Sequence, residues 1–313
     1  MGKKQNYQAK YHPEWFQKMT EKIKPDRVLK WDSYKQWYSN LSIRYKMFPY
    51  LRDREFALLI PKCSSHEYFR STRFLKLTNV QSFDFFFKVT GMNDNETKYG
   101  FFYSMAKYEN GIPFVPYNKE KRDIAKAKWI NNHWKEMISY DFYIDIDGEL
   151  PIFHLVKESA HLLINFFKNH QFPFKLRYSG KGFHFVTDYE NIKNFIPLKW
   201  NDFNPNAEHN IYRFYGLIAK WLSATISELI DLGIYDARRV LKIPYSLAIY
   251  KDDTFVCFPI SKIEEFKKFE PWKVNIKNFK LSKIPQHEED FESAGNKNNP
   301  EILIKRFCRE VGI

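Results

Sequence analysis

The sequence predicts an α/β fold of the α+β kind, with one mixed core and helical flanks, on three observations. Residues from about Tyr11 to Tyr50 carry Trp, Tyr and Leu at helical spacing among Lys and Glu. From Arg54 the chain turns to short β-prone apolar runs bounded by polar residues. Two longer helical periodicities, near 151–170 and 207–232, then alternate with further short strands.

The first 50 residues read as a helical preface that docks one face on the core. Strands are predicted at Phe56 to Ile60, Phe74 to Leu77, Phe83 to Val89 and Phe101 to Ser104, with a turn at Gly91 to Asn95. A charged loop, Asn118 to Lys128, leads to a helix holding Trp129 and Trp134. Phe142 to Asp147 alternates apolar and acidic residues, so a strand there projects Asp145 and Asp147 from one face. Pro151 opens a helix to about His170. A strand-turn-strand follows, Lys175 to Arg177 and Phe183 to Thr187, pivoting on Gly180 and Gly182. A helix over about Ala207 to Leu232 and strands near Val240 to Ile243 and Phe255 to Pro259 precede a Lys-rich end. No repeat or linker interrupts this order, so the expected units are a preface (1–50), a core (51–262) and a basic C-terminal part (263–313) packed as one body.

At 313 residues the chain is long enough to hide roughly three quarters of its extended surface, and 44% hydrophobic content excludes a disordered protein. Fifty Lys and Arg against 37 Asp and Glu give a net charge of +13, which points to a polyanionic partner; the bland alternative is a solubilising surface. Aromatics at 19% add rings on which unpaired bases can stack, although most of them must be core. Cys63, Cys257 and Cys308 are far apart and form no CxxC pair, which argues against a disulfide framework and a four-ligand zinc site, so no zinc is expected. Cys63 to His66 has half a zinc spacing and is read as structural. The basic N-terminus lacks a signal peptide's apolar stretch, and no run approaches roughly 18 apolar residues, so no membrane and a cytoplasmic location are expected.

Three constellations carry chemistry. Asp145 and Asp147, two carboxylates on one strand face, can share hard cations through oxygen ligands; the bland alternative is an ordinary half-buried strand. Ser179-Gly180-Lys181-Gly182-Phe183-His184 pairs two glycines, which let backbone approach a phosphate, with hydroxyl, ammonium and imidazole donors; the alternative is a plain hairpin turn. Tyr235 to Ser246 sets Asp236 just ahead of Arg238, Arg239 and Lys242; the alternative is a solvated basic strand edge with a weak salt bridge. A glycosidase reading of the paired carboxylates suits a basic chain poorly.

In order and spacing these constellations resemble the catalytic subunit of archaeal and eukaryotic primases, with its Asp-x-Asp strand, Ser-Gly-x-x-Gly-x-His turn and Asp before a basic Arg/Lys-x-Pro-x-Ser-Leu segment. Arg54-Glu55-Phe56-Ala57 and Tyr103-Ser104-Met105-Ala106-Lys107-Tyr108 resemble two further elements of that family. The five cover roughly Arg54 to Ile260. The resemblance implies an archaeo-eukaryotic primase core of mixed or antiparallel sheets with flanking helices and an RRM-like half. It implies a primase-polymerase acting on a single-stranded DNA template with nucleoside triphosphates and two divalent ions, Mg²⁺ or Mn²⁺, held by Asp145, Asp147 and Asp236. Ser179, Lys181 and His184 would contact phosphates, with Arg54, Arg239, Lys242 and Ser246 as further nucleotide-binding groups. The chain departs from the pattern in two places. Its glycine turn is one residue shorter, and Ala248 stands where the family commonly has His. The zinc insertion of many primase subunits is also missing, since no cysteine separates His184 from Asp236. This compactness implies a stand-alone prokaryotic primase-polymerase of the kind found on mobile elements or beside CRISPR loci, with CRISPR or replication proteins as partners. The competing functions are a catalytically silent single-strand-binding protein and an end-joining repair polymerase.

Overall fold

The computed structural model describes residues 34–51, 54, 56–62, 65–70, 100–109, 133–237, 239–250, 253–277, 279, 291 and 299–313. The strands expected at 74–77 and 83–89, the turn at 91–95, the loop at 118–128, Trp129, Cys63 and Arg238 lie outside these residues. The architecture is α+β, with seven α-helices and small antiparallel sheets among the described residues. None of those helices is long and apolar enough to cross a membrane.

The first sheet orders strands β2 (Ser65–Arg70), β1 (Phe56–Lys62), β3 (Gly100–Ser104) and β9 (Val240–Lys242). The second orders β12 (Phe258–Ile260), β7 (Lys175–Tyr178), β8 (Phe183–Thr187) and β6 (Phe142–Ile146). Two-stranded pairs complete the set: β4 (Ala106–Tyr108) with β5 (Met137–Tyr140), and β10 (Leu247–Tyr250) with β11 (Asp253–Val256). Because β8 is antiparallel to both β6 and β7, those two run parallel to each other. The helix α3 (Phe153–Asn169) makes the crossover between them, which gives a split β-α-β unit.

The sequence of α3 explains its seat. Val156, Ala160, Leu163, Ile164 and Phe167 recur at helical spacing and are all buried. Phe167 meets Phe174 and Phe185 at ring distances of 5.4 and 5.9 Å, and Phe153 meets Tyr178 and Phe183 at 5.9 and 5.8 Å. One face of the second sheet, with Ile144, Ile146, Phe183, Phe185, Leu176 and Tyr178, is therefore the apolar face under α3. Burying each large side chain there contributes roughly 1.5–3 kcal/mol. Alternation sends Tyr143, Asp145, His184 and Arg177 to the opposite face, which looks toward the first sheet. Two contacts join the sheets across that face. Arg177 Nη1 donates to the Tyr103 hydroxyl on β3 at 2.7 Å, and Lys242 Nζ on β9 donates to the Ser179 carbonyl at 2.8 Å.

The remaining helices wrap this pair of sheets. Helices α1 (Tyr34–Ser39) and α2 (Leu41–Leu51) bury Trp37, Tyr38, Ile43, Met47 and Leu51, and the Trp37 indole donates to the Tyr245 carbonyl at 2.9 Å. Helix α4 (Tyr189–Ile192) follows β8. The helix expected over 207–232 is shorter, α5 (Ile211–Thr225), because Asn210 caps it by accepting from the Arg213 N–H and the chain leaves helical geometry after Ile226. The single strand expected at 255–259 is two, β11 and β12, broken at Cys257, whose N–H donates to the Ser246 carbonyl. Trp134 sits in a short 3-10 turn, His133–Glu136. The C-terminal α6 (Ile263–Lys267) and α7 (Pro300–Val311) place Phe266, Leu303, Ile304 and Phe307 in the same core as Trp37.

Candidate active site

The turn after β7 is shaped by what glycine permits. A Cβ on Gly182 would stand 1.7 Å from the Ile146 carbonyl oxygen and 3.1 Å from the Asp147 Cα. Only a residue without Cβ lets the hairpin sit flush on the end of β6. Gly180 has φ +108°, a left-handed backbone, and its missing Cβ leaves room for the Ala248 side chain, 2.1 Å from where that Cβ would be. The two departures from the primase pattern, the shortened turn and the alanine, are thus in contact. Ser179 closes the turn: its N–H donates to the Gly182 carbonyl at 2.8 Å, and its hydroxyl accepts from the Gly182 N–H at 3.2 Å. The Tyr178 hydroxyl donates to the Gly180 carbonyl at 2.7 Å.

This packing brings five of the expected residues together. Asp145 and His184 are register partners, with His184 Nε2 3.5 Å from Asp145 Oδ1, an ion-pair distance rather than a hydrogen bond. Asp147 follows the end of β6, beside the turn that carries the exposed Lys181. Its surface is exposed, yet its carboxyl loses hydration and faces the Asp145 charge, which together push it up to about 6; His184, Lys242 and Lys181 pull it back. Lys242 is shifted down, first by burial and also by Lys181, while Cys257, Asp147 and Asp145 oppose that shift. Two carboxylates, an imidazole and two ammonium groups therefore share one electrostatic environment.

Two buried polar atoms in this cluster, Asp145 Oδ1 and His184 Nδ1, have no hydrogen-bond partner. Unsatisfied buried polar atoms are uncommon, and each needs an account such as a water, an ion or a catalytic role. A carboxylate oxygen at that place suits a hard divalent cation, and Asp147 is the adjacent oxygen donor. Among the described residues no group of three or more His, Cys, Asp or Glu side chains stands together as a metal cage.

Asp236 is instead exposed and sits 3.4 Å from Arg239 Nε. Its backbone is firmly placed. Tyr140 donates to the Asp236 carbonyl at 2.6 Å, Tyr143 donates to the Ile234 carbonyl, and Tyr235 donates to the Tyr143 carbonyl at 2.9 Å. The Tyr143 and Tyr235 rings stack at 5.3 Å. Arg239 also donates to the Ile234 and Gly233 carbonyls at 2.8 Å. Asp231 N–H donates to the Asp145 carbonyl at 2.9 Å, so the segment starts along the edge of β6.

Two other expected residues lie elsewhere. Arg54 is buried in an ion pair with Asp141, donates to the Ser104 and Met105 carbonyls at 2.7 and 2.8 Å, and lies over the Tyr103 ring. Asp141 precedes β6, four residues from Asp145, which is roughly 13 Å along a strand. Ser246 is fully buried, and its hydroxyl accepts from the Phe101 N–H at 2.6 Å. Sequence reasoning missed Arg177, which completes the row Asp145–His184–Arg177 across three strands and stacks on Tyr50 and Tyr103. The signal was present: counting back from a four-residue turn pairs Tyr178 with Phe183 and Arg177 with His184. No protein-family model matches the chain, and no curated protein matches it significantly.

Proposed function

We propose that the chain is a template-directed nucleotidyltransferase of the archaeo-eukaryotic primase type, a primase-polymerase that starts and extends chains on single-stranded DNA. One observation carries the reading: glycines seat the Lys181–His184 hairpin directly against the Asp145–Asp147 strand, so phosphate donors and carboxylates converge. Lys181 and Lys242 bind and orient a triphosphate, and His184 donates to its oxygens. Asp145 and Asp147 would hold divalent Mg²⁺ or Mn²⁺, which when bound neutralises phosphate charge and lowers the pKa of an attacking hydroxyl. Nucleic-acid affinity comes from the surplus of 50 basic over 37 acidic residues.

A second reading, a single-strand-binding protein without catalysis, is favoured by the 3.4 Å pairing of the exposed Asp236 carboxylate with Arg239. One experiment separates them. Asp145→Ala is expected to abolish nucleotide addition, on primed and unprimed single-stranded templates with Mg²⁺ or Mn²⁺, while single-strand binding and the melting temperature persist. Absence of nucleotide addition by the parent chain under every metal and nucleotide set leaves the binding protein.

A further inference from the structure

Trp272 lies in the short 3-10 turn Pro271–Val274 after α6, with 59% of its surface exposed. Among the described residues no ring or cation lies over its indole. A lone exposed hydrophobic residue needs no explanation, but the surroundings of this one are unusual. Lys262, Lys267, Lys268, Lys273 and Lys277 are all exposed around it in sequence. Lys273 pairs with Glu270 at 2.6 Å and Lys277 with Asp253 at 3.7 Å, whereas Lys262, Lys267 and Lys268 make no ion pair among the described residues. Lysines at a helix C-terminus ordinarily serve its carbonyls, and Lys157 and Lys273 do so here, donating to Lys267, Phe269 and Lys268. That role covers neither the indole nor the ammonium groups of Lys267 and Lys268.

The segment is anchored to the sheet that carries the candidate site, on the apolar face opposite Asp145 and His184. Phe266 and Phe269 pack on Phe183 at 5.4 and 6.0 Å, and Phe269 packs on Tyr178 at 4.9 Å. Tyr178 and Phe183 are the residues that flank the Ser179–Gly182 turn. An exposed indole within a few residues of unpaired lysines, on a segment anchored to the strands that flank Lys181, matches the stacking-plus-phosphate chemistry of single-stranded nucleic acid.

We propose that Trp272, with Lys267 and Lys268, is a platform on which an unpaired base of a single-stranded nucleic acid stacks. That this strand is the template rests on the function proposed above; the binding itself does not. The test uses the full chain, fluorescently labelled oligo(dT) and a labelled duplex of equal length, with binding read by anisotropy at low salt. Trp272→Ala is expected to weaken single-strand binding about 5- to 140-fold, the loss of one stacked base. Trp272→Phe should restore most of it, and duplex binding should change less than about twofold. The double variant Lys267→Ala/Lys268→Ala should flatten the slope of log affinity against log salt by roughly 1.4, two single-strand phosphates. Unchanged single-strand affinity in Trp272→Ala, or an equal loss on duplex, overturns the platform and leaves Trp272 a contact for some other partner. If the Trp272 effect stands while the parent chain adds no nucleotide, the platform survives and the proposed reaction fails.

Discussion

Replacing Gly182 by Ala tests how the candidate site is assembled. The new Cβ would fall 1.7 Å from the Ile146 carbonyl oxygen, 2.8 Å from the Ile146 carbonyl carbon and 3.1 Å from the Asp147 Cα. All three neighbours are backbone, so no rotamer change relieves the contact. The hairpin must retreat from β6 by roughly 1.5 Å to recover van der Waals separation. Forced overpacking of this kind costs about 3 kcal/mol, the upper end of its usual range. The Asp145–His184 pairing lies one step along the same ladder and moves with the hairpin. A displacement of about 1 Å costs on the order of 100-fold in rate, so nucleotide addition should fall by at least that factor. Gly216→Ala is the matched control. The nearest atoms to its Cβ would be Tyr235 side-chain atoms at 3.5–3.7 Å, ordinary van der Waals contact, and inside α5 it should stabilise by about 0.5–1 kcal/mol. Urea unfolding of both variants and primer extension by each give the answer. Gly182→Ala with parental stability and parental extension would refute the seating of the turn on β6.

Two further outcomes follow from the charges. The carboxyl of Asp147 is pushed up to about 6 from its ordinary 3.8, so ionising it disfavours the folded state. Its contribution to stability is therefore fullest below about pH 4 and falls as pH rises toward 6. In chelator, Asp147→Asn should melt like the parent at pH 4 and higher than it at pH 7.5, by less than about 1 kcal/mol because the group is solvent-screened; a lower melting temperature at pH 7.5 contradicts the assignment. Asp141→Ala strands the buried Arg54 cation and the Tyr189 N–H, which donates to Asp141 at 2.9 Å, and should cost about 3–5 kcal/mol. Arg54→Met in the same chain should recover much of that loss, and strictly additive losses in urea unfolding would show that the two do not act as a pair.

Local pattern revealed the elements that build the cluster, and long-range partners stayed hidden. The alternation from Phe142 to Asp147 located β6 and its acidic face, and the glycine pair located the hairpin. Alternation also suggested a half-solvated strand, yet all five residues of β6 are buried, because α3 covers one face and the other looks into the inter-sheet cleft. Arg54 and Asp141 are 87 positions apart, and nothing local to either announces the pair. Ser246 is similar: its hydroxyl is taken by Phe101, 145 positions away, so a motif that puts Ser in a basic segment gives no hint of full burial. Asp236 reads as one of three equivalent carboxylates, but the fold places its side chain beside Arg239, a neighbour three residues on.

The lashing of residues 231–236 to β6 has a bearing on how this protein tolerates change. Most of its tethers end on main-chain atoms of the segment: the Asp231 N–H and the Gly233, Ile234 and Asp236 carbonyls. Main-chain acceptors are the same whatever side chain the residue carries. The path of the loop is therefore written mainly in Tyr140, Tyr143 and Arg239, outside the stretch that follows it. A change of side chain at 232 removes none of these tethers, and the Asp236 carbonyl keeps its bond to Tyr140 whatever side chain stands there. The tyrosines carry the opposite burden, since losing one hydroxyl unties a stretch of chain whose own sequence is intact.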